Sequence, residues 1–274
     1  MLMKIGFPIL LYLVGAPIVG GLLAGFDRKL TACLQGRAGP PLLQPFYDIC
    51  KLFRKENSPI CRSQDFCIWF FLMGIIFTGA LFFSGGNLLL VAFAFTLGNI
   101  FFVLAEYGVG SPHSFIGAQR ELIRIAACVP VIFFSAIGFY MVTRSFEINA
   151  ILAFHKPIIV FLPGVFLSLV YIMDIKLHIQ ETVDGVTAGF SGKALAMIEA
   201  ARWYETVILL GLVYLFCANK IVGGVLLSLA AFFTVVLVDN ICARVKRQMV
   251  ISLSWPVTFV LSVTNISVLF YLYK

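Results

Sequence analysis

Residues 5–26, IGFPILLYLVGAPIVGGLLAGF, decide the class of fold. This stretch contains no charged side chain, and it is longer than a helix in the core of a soluble domain needs to be. An α-helix rises about 1.5 Å per residue and the hydrocarbon core of a bilayer is about 30 Å thick, so about 20 apolar residues cross it. The stretch therefore predicts a transmembrane helix.

Further apolar stretches of this length recur along the chain. Of the 274 residues, 61% are hydrophobic and 12% are charged, whereas a water-soluble domain carries about 25% charged residues. We therefore predict an all-α polytopic membrane protein, a single integral membrane domain over residues 1–274, with eight transmembrane helices. The expected spans are 5–26, 66–84, 87–106, 121–143, 157–174, 194–218, 221–240 and 251–273.

The basic residues are divided unevenly between the two sides that eight spans define. The odd-numbered loops and the helix ends next to them contain 15 of the 20 Lys and Arg residues, and the side that carries both termini contains 5. Because basic residues concentrate in cytoplasmic loops, we expect the odd-numbered loops in the cytoplasm and both termini outside. The same rule accounts for the net charge of +7 without a nucleic-acid partner.

The first loop, residues 27–65, is more than a connector. Apolar residues recur every three or four positions between 42 and 53, and Asp48, Lys51, Arg54 and Lys55 take the opposite face. Pro41 and Pro45 suit the first turn of a helix. This pattern predicts an amphipathic helix that lies in the membrane interface and is too short and too charged to span.

Acidic residues inside or at the ends of spans are the candidate functional groups, because each costs about 2.5–3.5 kcal/mol at a helix centre on insertion scales. They are Glu106, Glu121, Asp174, Glu199, Glu205 and Asp239. Arg120 and Arg124 flank Glu121, and Arg202 lies three residues from both Glu199 and Glu205, so that one helix face carries all three. Such a cluster fits a proton relay, and it equally fits structural ion pairs in a helix bundle.

Metal and redox chemistry within the chain are not predicted. The seven cysteines contain no C-x-x-C pair and no iron–sulfur or zinc spacing, and none of the three histidines has a histidine partner at i+3 or i+4. Pro130, Pro163 and Pro256 fall inside predicted spans, where proline frees a backbone carbonyl and bends the helix.

Residues 27–56, DRKLTACLQGRAGPPLLQPFYDICKLFRKE, strongly resemble a family signature. The family is that of the complex I membrane subunit that walls the quinone chamber, with counterparts in membrane-bound energy-converting hydrogenases. Gln35, Arg37, Gly39 and Pro40 match its Q-x-R-x-G-P element. A second group matches D-x-x-K-x-x-x-K-E, namely Asp48, Lys51, Lys55 and Glu56.

Two further elements carry the resemblance across the chain. Glu106 is followed at 111–121 by SPHSFIGAQRE, which is similar to the hydrogenase branch. Residues 190–205, FSGKALAMIEAARWYE, are similar to the family's E-Y-S-G element and the helix after it. The chain most resembles the membrane subunit of Ech-type nickel–iron hydrogenase.

The resemblance implies a non-catalytic subunit of an oxidoreductase in a prokaryotic cell membrane. No cofactor would be bound directly, since the nickel–iron centre and the iron–sulfur clusters would belong to peripheral large and small subunits that receive electrons from ferredoxin. An antiporter-like membrane subunit would complete the ion path. The docking residues would be Gln35, Arg37, Gly39, Pro40, Asp48, Lys51, Lys55 and Glu56. The ion-coupling residues would be Glu106, Glu121, Asp174, Glu199, Glu205, Arg120, Arg124 and Arg202.

The chain departs from the family pattern at two carboxylates. Val129 and Gly189 stand where relatives carry glutamate, and the segment after Asp174 lacks the usual P-F-D. These replacements affect the expected charged path and leave the docking loop unchanged. Two alternatives to the hydrogenase role stay open: the equivalent subunit of a quinone-, sulfur- or formate-linked complex, and a stand-alone ion transporter.

Overall fold

A computed structural model describes residues 2–55, 62–178, 189–217, 219–241 and 247–272. The described part consists of helices joined by short connections. They are α1 (Leu2–Leu34), α2 (Gln44–Arg54), α3 (Arg62–Phe83), α4 (Leu88–Gly108), α5 (Pro112–Thr143), α6 (Ile148–Leu152), a 3₁₀ turn (Ile158–Val160), α7 (Pro163–His178), α8 (Gly192–Leu215), α9 (Ile221–Ile241) and α10 (Arg247–Leu272). The all-α class is confirmed.

Within the part of the chain that the structure describes, six helices are long and apolar enough to cross a membrane, which confirms a multi-pass membrane protein. The qualifying stretches are Gly6–Leu34, Gln64–Phe83, Leu88–Gly108, Ser114–Thr143, Ile221–Ile241 and Ile251–Tyr271. The two other predicted spans fall on α7, which has 16 residues, and α8, which has 24 residues and carries three charges near its middle. The count of eight and the orientation of the termini stay predictions.

The described helices fall into two compact units. Unit 1 comprises Met1–Ser84, Ala94–Leu122 and Gln180–Val207, and within it α1 packs against α2 and α3. Unit 2 comprises Gly85–Phe93, Ile123–Ile179 and Ile208–Lys274, and within it α7 packs against α9 and α10. The prediction of a single domain over residues 1–274 stays a prediction.

Helix termini are satisfied by local hydrogen bonds. At the end of α1, Gly36 has φ +69°, its N–H donates to the Cys33 carbonyl at 3.0 Å, and the Arg37 N–H donates to the Ala32 carbonyl at 2.8 Å. This is a Schellman motif, which favours glycine at the left-handed position. It places the Q-x-R-x-G-P element directly after the helix.

Prolines within helices leave carbonyls that side chains from other helices satisfy. Pro17 cannot donate to the Leu13 carbonyl, and the Tyr204 hydroxyl of α8 donates to it at 2.7 Å. In unit 2, Pro130 leaves the Ala126 carbonyl without its helical donor, and Trp255 Nε1 of α10 donates to it at 3.2 Å. In a membrane no water replaces such a donor, so these bonds fix the contacts between the helices.

Two sequence expectations about proline are wrong. Pro163 does not lie inside a span, because a 3₁₀ turn precedes it and α7 begins at Pro163 itself, where its missing N–H has no helical partner to lose. Pro41 precedes α2 instead of lying in its first turn, whereas Pro45 does lie in that turn. Pro256 lies inside α10, as expected.

Candidate functional site

The helix predicted over residues 42–53 is present as α2, which packs against α1 and α8, and its position in the membrane interface stays a prediction. Phe46 meets the indole of Trp203 edge-on, with 5.1 Å between ring centroids. On α1 a Cβ at Gly21 would lie 2.5 Å from Phe46 Cζ, so only glycine leaves room for the ring. A Cβ at Gly25 would likewise collide with the carbonyl oxygen of Leu42. One aromatic side chain thus joins three helices of unit 1.

A salt bridge between α1 and α2 adds to this packing. Asp48 Oδ2 accepts a hydrogen bond from Arg28 Nη1 of α1 at 2.9 Å, and Asp48 Oδ1 accepts one from Gln44 Nε2 at 2.9 Å. The Arg28 and Asp48 side chains are each about 40% exposed, so the pair contributes roughly 0–1 kcal/mol and mainly sets the rotation of α2.

The other predicted docking residues present their side chains outward. Gln35, Arg37, Gly39, Lys51 and Lys55 are exposed, and Pro40 is partly exposed. Arg54, at the end of α2, is exposed as well. Glu56 lies outside the described residues. The first loop therefore combines a fixed inner face with an accessible basic outer face.

The charges predicted on one face of α8 are partly brought together. Arg202 Nη1 donates to Glu199 Oε1 at 3.2 Å, and the guanidinium carbon of Arg202 lies 5.7 Å from the ring centroid of Phe102 on α4. Arg202 is 9% exposed, so it makes these two contacts largely out of contact with solvent. Its Nη2 is buried and has no hydrogen-bond acceptor among the described residues. Glu205, also on α8, is buried.

Glu106 lies one helical turn after Phe102 on α4 and is fully buried. The C-terminal end of this helix is tightly packed, since a Cβ at Gly108 would lie 3.0 Å from Gln64 Cγ of α3. Gly189, which stands where the resemblance leads us to expect a glutamate, lies against Val109. A Cβ at position 189 would be 2.9 Å from Val109 Cγ1. Position 189 thus borders the end of the helix that carries Glu106.

The remaining predicted ion-coupling residues lie on α5 and α7. Glu121 and Arg124 are buried on α5, and Arg120 is partly exposed. Val129, the other position where the resemblance leads us to expect a glutamate, is partly exposed on the same helix. The side chain of Asp174 lies outside the described part, although its backbone belongs to α7.

The structure adds residues that the sequence did not single out. Arg28 pairs with Asp48 from 20 residues away, and Tyr204 reaches Leu13 from 191 residues away. Gln64 is buried beside Gly108 at the start of α3. A long-range pairing has no periodic signal, but the unmatched carbonyl created by Pro17 would have indicated that α1 needs a donor from another helix.

Comparisons with known proteins agree with this architecture. The chain is 33% identical over 152 residues to a protein of Methanocaldococcus jannaschii named as an NADH-ubiquinone oxidoreductase, covering 52% of this chain and 50% of that protein. It is 26% identical over 206 residues to hydrogenase-4 component C of Escherichia coli, covering 66% and 64%. The chain thus spans about half to two thirds of the length of these curated relatives.

A solved structure of a membrane-bound sulfane sulfur reductase, an archaeal respiratory membrane complex, contains a chain of the same fold. The TM-score is 0.85 at 21% identity, covering 97% of this chain and 99% of that chain. The family described as NADH dehydrogenase matches residues 7–270. With nearly the whole chain matched, the protein belongs to the NADH dehydrogenase family.

Proposed function

We propose that the chain is the membrane anchor and coupling subunit of a ferredoxin-linked energy-converting nickel–iron hydrogenase complex. Peripheral large and small subunits would hold the nickel–iron centre and the iron–sulfur clusters. An adjoining antiporter-like membrane subunit would move protons or sodium ions. This chain would dock the peripheral subunits and transmit their redox state to the antiporter-like subunit.

The observation that carries the proposal is the contact of α2 with α8. The basic outer face of α2 suits an arm with acidic side chains, and its inner face contacts Trp203, the neighbour of Arg202 in sequence. A displacement of α2 would therefore move Trp203. This residue lies one helical turn from Glu199 and next to Arg202, two residues that form an ion pair. This arrangement offers a physical route from a docked arm to buried charge.

The similarity to hydrogenase-4 component C supports the hydrogenase branch. The fold shared with a chain of a sulfane sulfur reductase supports a second candidate, the equivalent subunit of a sulfur-linked complex.

Purification in mild detergent tests this function. We expect the chain to co-purify with peripheral subunits and the complex to evolve hydrogen from reduced ferredoxin. Sulfide production from sulfane sulfur without hydrogen evolution would favour the second candidate. Recovery as a lone polypeptide with transport activity would refute both.

Arg37→Ala tests the docking role. Loss of a charge-assisted hydrogen bond, worth about 1.5–3 kcal/mol, should weaken retention of the arm by tenfold or more on a native gel or by light scattering. Arg144→Ala, which removes an exposed arginine of unit 2, is the matched control. Equal retention of the arm in both variants would remove Arg37 from the dock.

Glu199→Gln tests the coupling role. The amide cannot carry the charge that pairs with Arg202, so we expect an intact complex that evolves hydrogen and moves fewer ions per electron in proteoliposomes. Glu147→Gln, at an exposed site before α6, should leave the ratio unchanged. An undiminished ratio in Glu199→Gln would assign this glutamate a structural role.

A further inference from the structure

A cavity of about 410 Å³ lies in unit 2, between the end of α5 and the start of α7. Its lining combines small and aromatic apolar side chains with two basic ones. The lining residues are Ala150, Ala153, Phe154, His155, Lys156 and Phe161. His155 and Lys156 are exposed, and the Phe154 and Phe161 rings pack edge-to-face with 6.4 Å between their centroids.

Hydrogen bonds bring the connection between α8 and α9 to this cavity. Asn219 Nδ2 donates to the His155 carbonyl at 3.4 Å, and the Ile159 N–H donates to the Phe216 carbonyl at 2.9 Å. Lys220 follows Asn219 directly, and consecutive Cα atoms are about 3.8 Å apart. The backbone of Lys220 thus lies close to the cavity lining, and its side chain is exposed.

Two apolar stretches that are long enough to span a membrane flank the segments that form the cavity: one ends at Thr143 and the other begins at Ile221. Apolar side chains beside the cavity are strongly exposed, with Val160 at 70%, Ile221 at 75% and Val222 at 71%. Exposure of this degree suits contact with the acyl chains of lipids.

We propose that this cavity binds an anionic membrane lipid, with the phosphate headgroup between Lys156, Lys220 and His155 and the chains over Val160, Ile221 and Val222. The two ammonium groups supply point charges for a phosphate. The stretches 154–161 and 216–222 contain no Asp or Glu, so no carboxylate in them competes for the lysines. The long lysine stems can cover Phe154 and Phe161 while their charged ends stay in the headgroup layer.

The apolar surroundings decide between a lipid and a free phosphate ion. A phosphate ion would use the basic rim alone and gain nothing from the exposed Val160 and Ile221. A lipid uses both, and one basic residue near an anionic membrane surface strengthens binding about fivefold. On unit 1, the exposed basic residues of α2 belong to the proposed dock and are not part of this site.

Native mass spectrometry of the delipidated complex, titrated with phosphatidylglycerol and separately with phosphatidylcholine, tests the proposal. We expect the wild type to retain phosphatidylglycerol preferentially. Lys156→Gln should weaken that binding about fivefold, and Lys156→Gln with Lys220→Gln about 25-fold. Lys4→Gln, on the same predicted side but in unit 1, should bind as the wild type does.

Equal binding of the two lipids, or unchanged phosphatidylglycerol binding in the double variant, would overturn the proposal. Displacement of phosphatidylglycerol by millimolar inorganic phosphate would also overturn it, because the site would then recognise the ion without its chains. The melting temperature of each variant in lipid-free detergent should match the wild type. The single Lys156 variant keeps the test decisive if the double variant does not fold.

Discussion

The hydrogen bond from Tyr204 to Leu13 makes a specific prediction about how α8 is held on α1. Tyr204→Phe removes the hydroxyl that donates to the Leu13 carbonyl at 2.7 Å and keeps the ring, which meets Tyr12 edge-on at 5.5 Å between centroids. The carbonyl then loses its donor, because Pro17 has no N–H to offer.

The structure sets the size of the effect. An unsatisfied buried backbone group costs about 1–3 kcal/mol, and side-chain hydrogen bonds between membrane helices have measured at about 0.6 kcal/mol on average and 1.7 at most. Tyr204 is 8% exposed, so water does not replace the lost donor freely. We expect Tyr204→Phe to lower the free energy of unfolding by about 1–2 kcal/mol.

A double-mutant cycle isolates this bond. In Pro17→Ala the new N–H of residue 17 can donate to the Leu13 carbonyl within the helix, so adding Tyr204→Phe should then cost less than about 0.5 kcal/mol. The coupling energy is therefore about 1 kcal/mol. Pro8→Ala is the matched background, because Pro8 lies in the same helix but its missing donor faces the Lys4 carbonyl.

Reversible unfolding in mixed micelles of dodecylmaltoside and sodium dodecyl sulfate measures all six proteins. The expected result is a cost for Tyr204→Phe that is the same in the wild-type and Pro8→Ala backgrounds and mostly lost in Pro17→Ala. Equal costs in all three backgrounds would refute the assignment of the hydroxyl to the carbonyl freed by Pro17.

Two other predictions concern the packing of α2. Phe46→Ala should speed amide exchange of residues 44–54 by about 30-fold or more, which corresponds to a loss of about 2 kcal/mol of packing free energy. The control is Phe53→Ala on the same helix, where the ring is 48% exposed; it should change the exchange rate less than threefold. Equal exchange in the two variants would argue against Phe46 as the anchor. Gly25→Ala should lower the free energy of unfolding by about 1–3 kcal/mol, because its Cβ would collide with the Leu42 carbonyl. Gly15→Ala, which has no atom within 4 Å of a Cβ, should leave the free energy of unfolding unchanged. A Gly25→Ala variant as stable as the wild type would contradict the close approach of α1 to Leu42.

The helix α2 shows how much the sequence could predict. A helix was expected over residues 42–53 and α2 spans Gln44–Arg54, because three- and four-residue spacing of apolar side chains fixes both the type of element and its face. Its contacts were not predictable. Phe46 and Trp203 are separated by more than 150 residues, and neither side chain carries a signal that names its partner.

The span expected over residues 157–174 marks the opposite case. Hydropathy is continuous there, but Pro157 and Pro163 bracket a 3₁₀ turn, so that the helix begins only at Pro163. A hydropathy average over these residues does not detect the break, which is visible only in the pattern of backbone hydrogen bonds. For α1 the predicted span is shorter than the helix. The helix continues to Leu34 past the apolar stretch, since Asp27, Arg28 and Lys29 interrupt hydropathy without interrupting a helix.

The charges of α8 connect these observations to the proposed role. This helix is long enough to span, and Glu199, Arg202 and Glu205 make its middle less apolar than that of the other long helices. Surrounding protein reduces what such charges cost, because Phe102 and Glu199 replace the lipid that Arg202 would otherwise face. The neighbouring side chains therefore lower the free-energy cost of burying these charges, which would be high if α8 were surrounded by lipid alone. A movement of α2 against Trp203 would act on α8 one residue away from Arg202, and under the proposed function α8 is therefore the element that couples docking to buried charge.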